Sequence, residues 1–243
     1  MTISPDFSVA STTVTAVLAA YLLLGEPWAG RRTYASLARR RDAEPRALVR
    51  YFGLVLAVWA VFAAVAVAAL LLSPGADAAD FGITTPERPG YVLTLTIIFA
   101  AIAVASGRNF RSLAEQGKNV PGLASIEAML PRTAEERRLA IVVAVTDGIC
   151  ANLVYRGLLI AFGVGALGLH LYAAAALSVV VYAVAGFYQG RQGVAVFGLF
   201  GAVLTGLYLA TGSLLLPVVA HVVLSVRDLT LPAPDKLRAP SAA

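Results

Sequence analysis

The sequence is poor in charged residues and nearly devoid of cysteine. Only 14% of its 243 residues are charged, whereas 59% are hydrophobic, and this balance excludes an ordinary soluble domain. Cys150 is the only cysteine, so a disulfide framework and a cysteine-based zinc knuckle are both excluded. The N-terminus, MTISPDFS, lacks the basic residues that open a cleavable signal peptide. The composition therefore predicts an integral membrane protein whose main partner is the lipid bilayer.

Seven apolar segments approach the roughly 20 residues that a helix needs to cross a bilayer. They span residues 9–24, 51–72, 91–106, 139–164, 171–188, 193–211 and 213–226. The sequence thus predicts an all-α fold, a polytopic membrane helical bundle of about seven transmembrane helices. The seventh segment is short and contains Pro217, so we expect neighbouring helices rather than lipid to shield it.

We expect residues 1–229 to form a single integral membrane domain and the Pro- and Ala-rich residues 230–243 to form a disordered cytosolic tail. Seven arginines lie between residues 25 and 50, and six basic residues lie between residues 107 and 138. The positive-inside rule therefore predicts a plasma (inner) membrane protein with its N-terminus outside and its C-terminus in the cytosol. The basic residues lack aromatic interleaving and any recognisable binding motif, so nucleic acid is excluded as a partner.

Arg156 stands in the middle of an otherwise apolar run, TDGICANLVYRGLLI. A charged side chain at the centre of a spanning helix costs roughly 2.5–3.5 kcal/mol, so Arg156 should face the bundle interior and a polar partner. At 100° per residue, Asn152 lies one turn before Arg156 on the same face, while Asp147 and Cys150 occupy the other side. We expect Arg156 to contact backbone carbonyls, Asn152 or a hydroxyl group.

The sequence around Arg156 resembles the first motif of the CPBP family, the CAAX-prenyl protease and bacteriocin-processing intramembrane metalloproteases. That motif is Glu-Glu-x-x-x-Arg followed by glycine and an apolar pair. Here ANLVYRGLL retains Arg156, whereas Ala151 and Asn152 occupy the two glutamate positions.

Two further stretches are similar to the family's other motifs, so the resemblance covers about residues 130–229. The second motif is an aromatic residue, three others and a histidine; YAVAGFYQG supplies Tyr182 but has Gly186 in the histidine position. The third is a histidine with Asn or Asp four residues later; in AHVVLS, His221 is retained and Ser225 takes the last position.

The resemblance implies a site in which the first glutamate activates water and the two histidines complete a metal-binding cluster with the Asn or Asp. A catalytic zinc takes about three protein ligands, and peptide hydrolysis also needs a general base. Of these positions only His221 is intact. Every glutamate lies outside the predicted spans, and His170 falls in a turn at the opposite membrane side. We therefore expect no cofactor, since zinc is expected only with an intact site.

Asp147, Cys150 and His221 are an alternative set of three metal ligands. The helical geometry places Asp147 and Cys150 opposite the family's active face, so we expect packing residues there rather than a metal site. Glycines lie at positions 198, 201 and 206 of the sixth predicted helix. Small residues such as Gly198, Gly201 and Gly206 allow a neighbouring helix to approach closely.

The sequence accordingly predicts a catalytically silent CPBP-type homologue or an inactivated variant. Such a chain is able at most to bind a hydrophobic or prenylated peptide, or a membrane protein, in the emptied bundle cavity. The alternative is an active metal-dependent intramembrane endopeptidase of the CAAX or peptide-processing type. Restoring the family residues at positions 151, 152, 186 and 225 is expected to return metal binding and proteolysis together.

Overall fold

The computed structural model describes residues 3–86, 88–116, 118 and 122–230, and this part of the chain is predominantly helical. The first half contains α1 (Val9–Ala20), a π-helical turn (Tyr21–Gly25), α2 (Glu26–Arg40), α3 (Ala47–Leu71) and α4 (Pro89–Glu115). The second half contains α5 (Leu123–Ile126), α6 (Ala134–Ala151), a π-helical segment (Asn152–Leu158), α7 (Leu159–Gly165), α8 (Leu171–Ala185), α9 (Gly190–Thr211) and α10 (Leu215–Leu229). The all-α prediction is confirmed, since no strand occurs among the described residues. The predicted disordered tail lies outside them, except for Thr230.

Five helical runs in this part of the chain are long and apolar enough to cross a membrane. They are Val9–Arg40, Ala47–Leu71, Pro89–Leu113, Ala134–Gly165 and Leu171–Thr211. The fifth run joins two predicted spans, because α8 passes into α9 through the 3-10 turn Gly186–Gln189. Gly190, with φ of +77°, lets the backbone reverse there, and α8 and α9 pack as an antiparallel pair. With α8 and α9 counted separately and α10 added, the helices match the seven predicted segments.

The short helix α10 lies among other helices, as its sequence predicted. It packs against α4, α6 and α9. Its side chains after Leu215 are all buried or half-buried. Neighbouring helices therefore shield it, although its 15 residues fall short of a full bilayer crossing.

The start of α6 is fixed by a capping box. Thr133 Oγ1 accepts a hydrogen bond from the Glu136 backbone N–H at 3.2 Å, and Glu136 Oε2 accepts one from the Thr133 backbone N–H at 3.3 Å. This reciprocal pairing satisfies two amides that a helix start otherwise leaves free.

A buried ion pair connects α6 to the residue that follows α2. Arg41 Nη2 lies 2.8 Å from Glu136 Oε2, and the two side chains are only 5% and 2% exposed. Arg41 also donates to the carbonyls of Ala128 and Leu130, both at 3.1 Å. The pair thus ties together three segments that are far apart in sequence.

Residues 3–8 form a strap across one end of the bundle. The Asp6 backbone N–H donates to Gly75 O at 3.2 Å. The Phe7 ring lies between Phe81 and Phe162, with centroids 6.1 and 5.9 Å away. The strap therefore joins the loop after α3 to α7.

The largest apolar cluster lies between α1, α3, α8 and the π-helical segment. Its fully buried members include Leu22 and Ala151, and it also holds Phe62, Tyr155 and Tyr182. This packing positions the segment 151–158 in the middle of the bundle.

Candidate functional site

His221 lies in a polar cluster between α6 and α10. Its side chain is 3% exposed, and Nε2 lies 3.3 Å from Asp147 Oδ2. On the other side of the ring, Nδ1 lies 3.3 Å from Asn152 Nδ2. Both ring nitrogens of the retained histidine are therefore occupied by protein groups.

The amide of Asn152 contacts two backbone carbonyls as well as this ring. Asn152 Nδ2 donates to Gly148 O at 2.6 Å, and its second N–H is shared between Pro217 O at 3.4 Å and His221 Nδ1 at 3.3 Å. The nitrogen of the amide, rather than its oxygen, therefore faces His221. Among the described residues, the oxygen of Asn152 is buried without a hydrogen-bond partner.

The prediction that Asp147 lies opposite the family's active face is wrong. The buried face of α6 includes Ala144, Gly148 and Ala151, and Asp147 lies at its edge, one turn before Ala151. An ideal helical wheel at 100° per residue separates Asp147 from Asn152 and contains no information about α10. Because α10 crosses α6 at Gly148, the ring of His221 reaches both side chains.

A close helix crossing brings these groups together. A Cβ atom added to Gly148 would lie 2.4 Å from Val222 Cγ2 and 3.0 Å from the Val222 backbone nitrogen. The backbones of α6 and α10 therefore approach closely at this point. The neighbouring residue, His221, is thereby held within reach of Asp147 and Asn152.

Arg156 is fully buried in the bundle, as predicted. Its Nη2 donates to Gly201 O at 3.3 Å, and its Cζ lies 4.3 Å from the ring centroid of Tyr182. The predicted carbonyl contact is confirmed, whereas Asn152 is not among its hydrogen-bond partners. Among the described residues, Nε and Nη1 of Arg156 are buried without a hydrogen bond that meets the usual geometry. The cation–π contact with Tyr182 offsets part of the cost of burying this cation.

Gly201 leaves the space that Arg156 and Tyr182 occupy. We expect Gly201→Ala to lower the free energy of unfolding by about 1–3 kcal/mol, because the new Cβ would lie 2.7 Å from Tyr182 Cδ1. Gly206→Ala, on the same helix, is the matched control. Apart from its own stretch of helix, no described residue has an atom within 4 Å of a Cβ there, so the prediction of close approach is wrong for Gly206. Denaturation in mixed micelles measures both variants, and equal losses would contradict the assignment.

Two positions that hold catalytic residues in the family, 151 and 186, are closely packed against other residues here and leave no open space. Ala151 is fully buried in the main apolar cluster. A Cβ added to Gly186 would lie 2.6 Å from Gly193 O and 2.7 Å from Phe197 Cγ. The helix α9 thus occupies the space beside the second-motif position.

Ser225 contributes little to the polar cluster. It lies one turn after His221 on α10 and is half-buried. The structure records no hydrogen bond from its hydroxyl to another described residue. Of the vacated positions, Asn152 is therefore the one with a direct polar contact to His221.

The residues present do not fit a catalytic zinc. Within the described part of the chain, no three His, Cys, Asp or Glu side chains form a group that could hold a metal ion. Asp147 and His221 meet, but Cys150 does not complete a ligand set with them. His170 lies in the turn before α8, where its Nδ1 accepts from the Tyr172 backbone N–H. A catalytic zinc needs about three protein ligands, and the cluster supplies two.

The second half of the chain matches a known family. Residues 134–226 match the family described as type II CAAX prenyl endopeptidase Rce1-like proteins. No curated protein and no solved structure matches the chain. The matched segment begins at the first residue of α6 and contains the whole His221 cluster, in agreement with the resemblance of the three motifs.

Proposed function

We propose that this membrane protein is a catalytically silent member of the Rce1-like family, whose description residues 134–226 match. It binds a hydrophobic or prenylated peptide, or another membrane protein, without cleaving it. The observation that carries the proposal is the state of His221, whose two ring nitrogens both face protein groups at 3.3 Å.

The chemistry of peptide hydrolysis supports this proposal. A water molecule is activated by a group that takes its proton, or by a metal ion held by about three ligands. Ala151 and Gly186 supply no polar side-chain atom, and the amide of Asn152 does not take a proton at neutral pH. The carboxylate in this cluster, that of Asp147, is engaged by His221. We therefore propose that the protein uses no zinc.

The proposed partner approaches from the lipid side rather than entering a cavity at the vacated positions. Ala151 and the backbone beside Gly186 are packed against other residues, which argues against an open space there. We further propose that the protein lies in the plasma (inner) membrane. By the positive-inside rule, the basic loops support an orientation with the N-terminus outside and the C-terminus in the cytosol.

We expect the purified chain to leave a fluorogenic prenylated peptide uncleaved in proteoliposomes. The measurement compares product formation with empty vesicles, with added zinc and with a chelator. An active Rce1-like protease in identical vesicles shows that the peptide is accessible. Chelator-sensitive release of product by the unmodified chain would overturn the proposal that the protein has no proteolytic activity.

Binding of a prenylated peptide is measured separately from cleavage. A photoreactive prenylated peptide should crosslink to the chain in a saturable manner, and an unlabelled copy should compete. Non-prenylated peptide of the same sequence is the control. The peptide form of the proposal fails if crosslinking rises linearly with concentration and is not competed.

A second candidate function is that of an active endopeptidase. The contact between Asp147 and His221 is the observation that favours it. A carboxylate beside an imidazole is a common general-base arrangement. In that case the chain would show turnover, and Asp147→Asn and His221→Ala would each abolish it. The engaged Nδ1 of His221 favours the silent alternative.

A further inference from the structure

A surface pocket on α2 is lined by three arginines and an aromatic ring. Its lining residues are Trp28, Arg31, Arg32, Ala35 and Arg39. Arg32 Cζ lies 4.3 Å from the Trp28 ring centroid, and all three arginines are exposed. The spacing of these residues, three, four, seven and eleven after Trp28, places them on one helical face.

Among the residues that the structure describes, the arginines of this pocket have no anionic partner. No described carboxylate lies within 4 Å of any of the three. Nearby basic residues differ in this respect, since Arg40 and Arg50 pair with Glu44 and Arg41 pairs with Glu136. The pocket therefore presents uncompensated positive charge to its surroundings.

The position along the helix sets the depth of the pocket in a bilayer. Val9–Arg40 is one continuous helical run, and about 20 residues cross the hydrocarbon core. Val17 and Leu24 are 66% and 75% exposed, which suits contact with acyl chains. Trp28 follows at the depth where aromatic side chains mark the interface, and the arginines begin one turn later, at the level of the phosphates.

Guanidinium groups suit the phosphate groups that lie at such a depth in a bilayer. Their planar donors bind two phosphate oxygens at once. Side chains on α2 lean toward the helix N-terminus, and here that direction leads back to the bilayer. An arginine beyond the interface can therefore reach down to a phosphate.

We propose that this pocket binds the phosphate-bearing headgroup of an anionic phospholipid. Arg31, Arg32 and Arg39 hold the phosphate oxygens, Trp28 lies beside the glycerol region, and the acyl chains follow the exposed surface around Leu24. The site lies outside the family segment and is independent of the proposed function.

The two tryptophans allow a direct test with the full chain. Trp59→Phe leaves Trp28 as the only tryptophan. In vesicles, brominated phosphatidylglycerol at low mole fraction should quench Trp28 at least fivefold more strongly than equal brominated phosphatidylcholine, since each arginine near the surface contributes about 1 kcal/mol. The triple variant Arg31→Gln, Arg32→Gln and Arg39→Gln is made in the Trp59→Phe chain. It should lose the preference for phosphatidylglycerol over phosphatidylcholine.

A matched triple variant distinguishes binding at this pocket from attraction of anionic lipid by the total positive charge of the protein. Arg46→Gln, Arg108→Gln and Arg111→Gln remove the same charge from exposed positions elsewhere and should keep the preference. Equal loss in both triple variants, or no preference in the parent, would overturn the proposal. So would stronger competition by inorganic phosphate than by sodium chloride of equal ionic strength, because the ligand would then be the free ion. If the triple variant does not insert, Arg32→Gln alone should reduce the preference, and no reduction would also overturn the site.

Discussion

Replacing Arg41 by Met is expected to lower the free energy of unfolding by about 3–5 kcal/mol, as is typical when one partner of a buried pair is removed. Glu136 is 2% exposed, so the variant would leave its carboxylate buried without the guanidinium. The carbonyls of Ala128 and Leu130 would also lose their donor. Denaturation of the purified chain in mixed micelles measures the loss.

Two variants show whether the loss comes from the buried charge. Arg41→Met combined with Glu136→Gln removes both charges and keeps an acceptor for the Thr133 backbone N–H, so it should recover part of the stability. Arg50→Met breaks the exposed contact with Glu44 and should cost at most about 1 kcal/mol. A loss at Arg50 as large as at Arg41 would contradict the role given to burial.

Installing the family histidine at position 186 is expected to destabilise the chain by about 3 kcal/mol, at the upper end for an overpacked core. The first side-chain atom alone would lie 2.6 Å from the backbone oxygen of Gly193, and a backbone atom moves aside only with its helix. Gly186→Ala should already carry much of this cost. Unfolding in mixed micelles and zinc content measure the outcome, and we expect no gain of zinc.

Ser225→Asn is the control for this experiment. Position 225 is half-buried near the end of α10, and we expect a change within about 0.5 kcal/mol. A Gly186→His chain as stable as the parent would mean that α9 moves away readily. The four family residues could then fit in the chain, and the sequence-based expectation that they restore proteolysis would stand. With the packing described for α9, the restored chain instead needs a shift of the α9 backbone at Gly193 and a smaller side chain at Phe197.

The helical fold could be predicted from the sequence because its signal is local. Runs of apolar residues gave the positions of the helices, and the short seventh run indicated the shielded helix α10. The π-helical segment at Asn152–Leu158 could not be predicted in this way. Its backbone depends on how Arg156 and Tyr155 pack against other helices, and an ideal helical wheel contains no such information.

The candidate site could be predicted only in part. The cost of a charge in a spanning helix correctly indicated that Arg156 is buried, and the motif spacing singled out His221 as the retained histidine. The contact of Asp147 with His221 was missed because it depends on where α10 crosses α6, at Gly148. The signal was present in the glycine itself, since a close backbone crossing requires a residue without a side chain.

The strap of residues 3–8 has a consequence for biosynthesis. Phe7 packs against Phe162, which leaves the ribosome roughly 150 residues later, or about ten to thirty seconds at ordinary elongation rates. During that interval Phe7 has no native aromatic neighbour on α7, so residues 3–8 complete their packing only after α7 has been made.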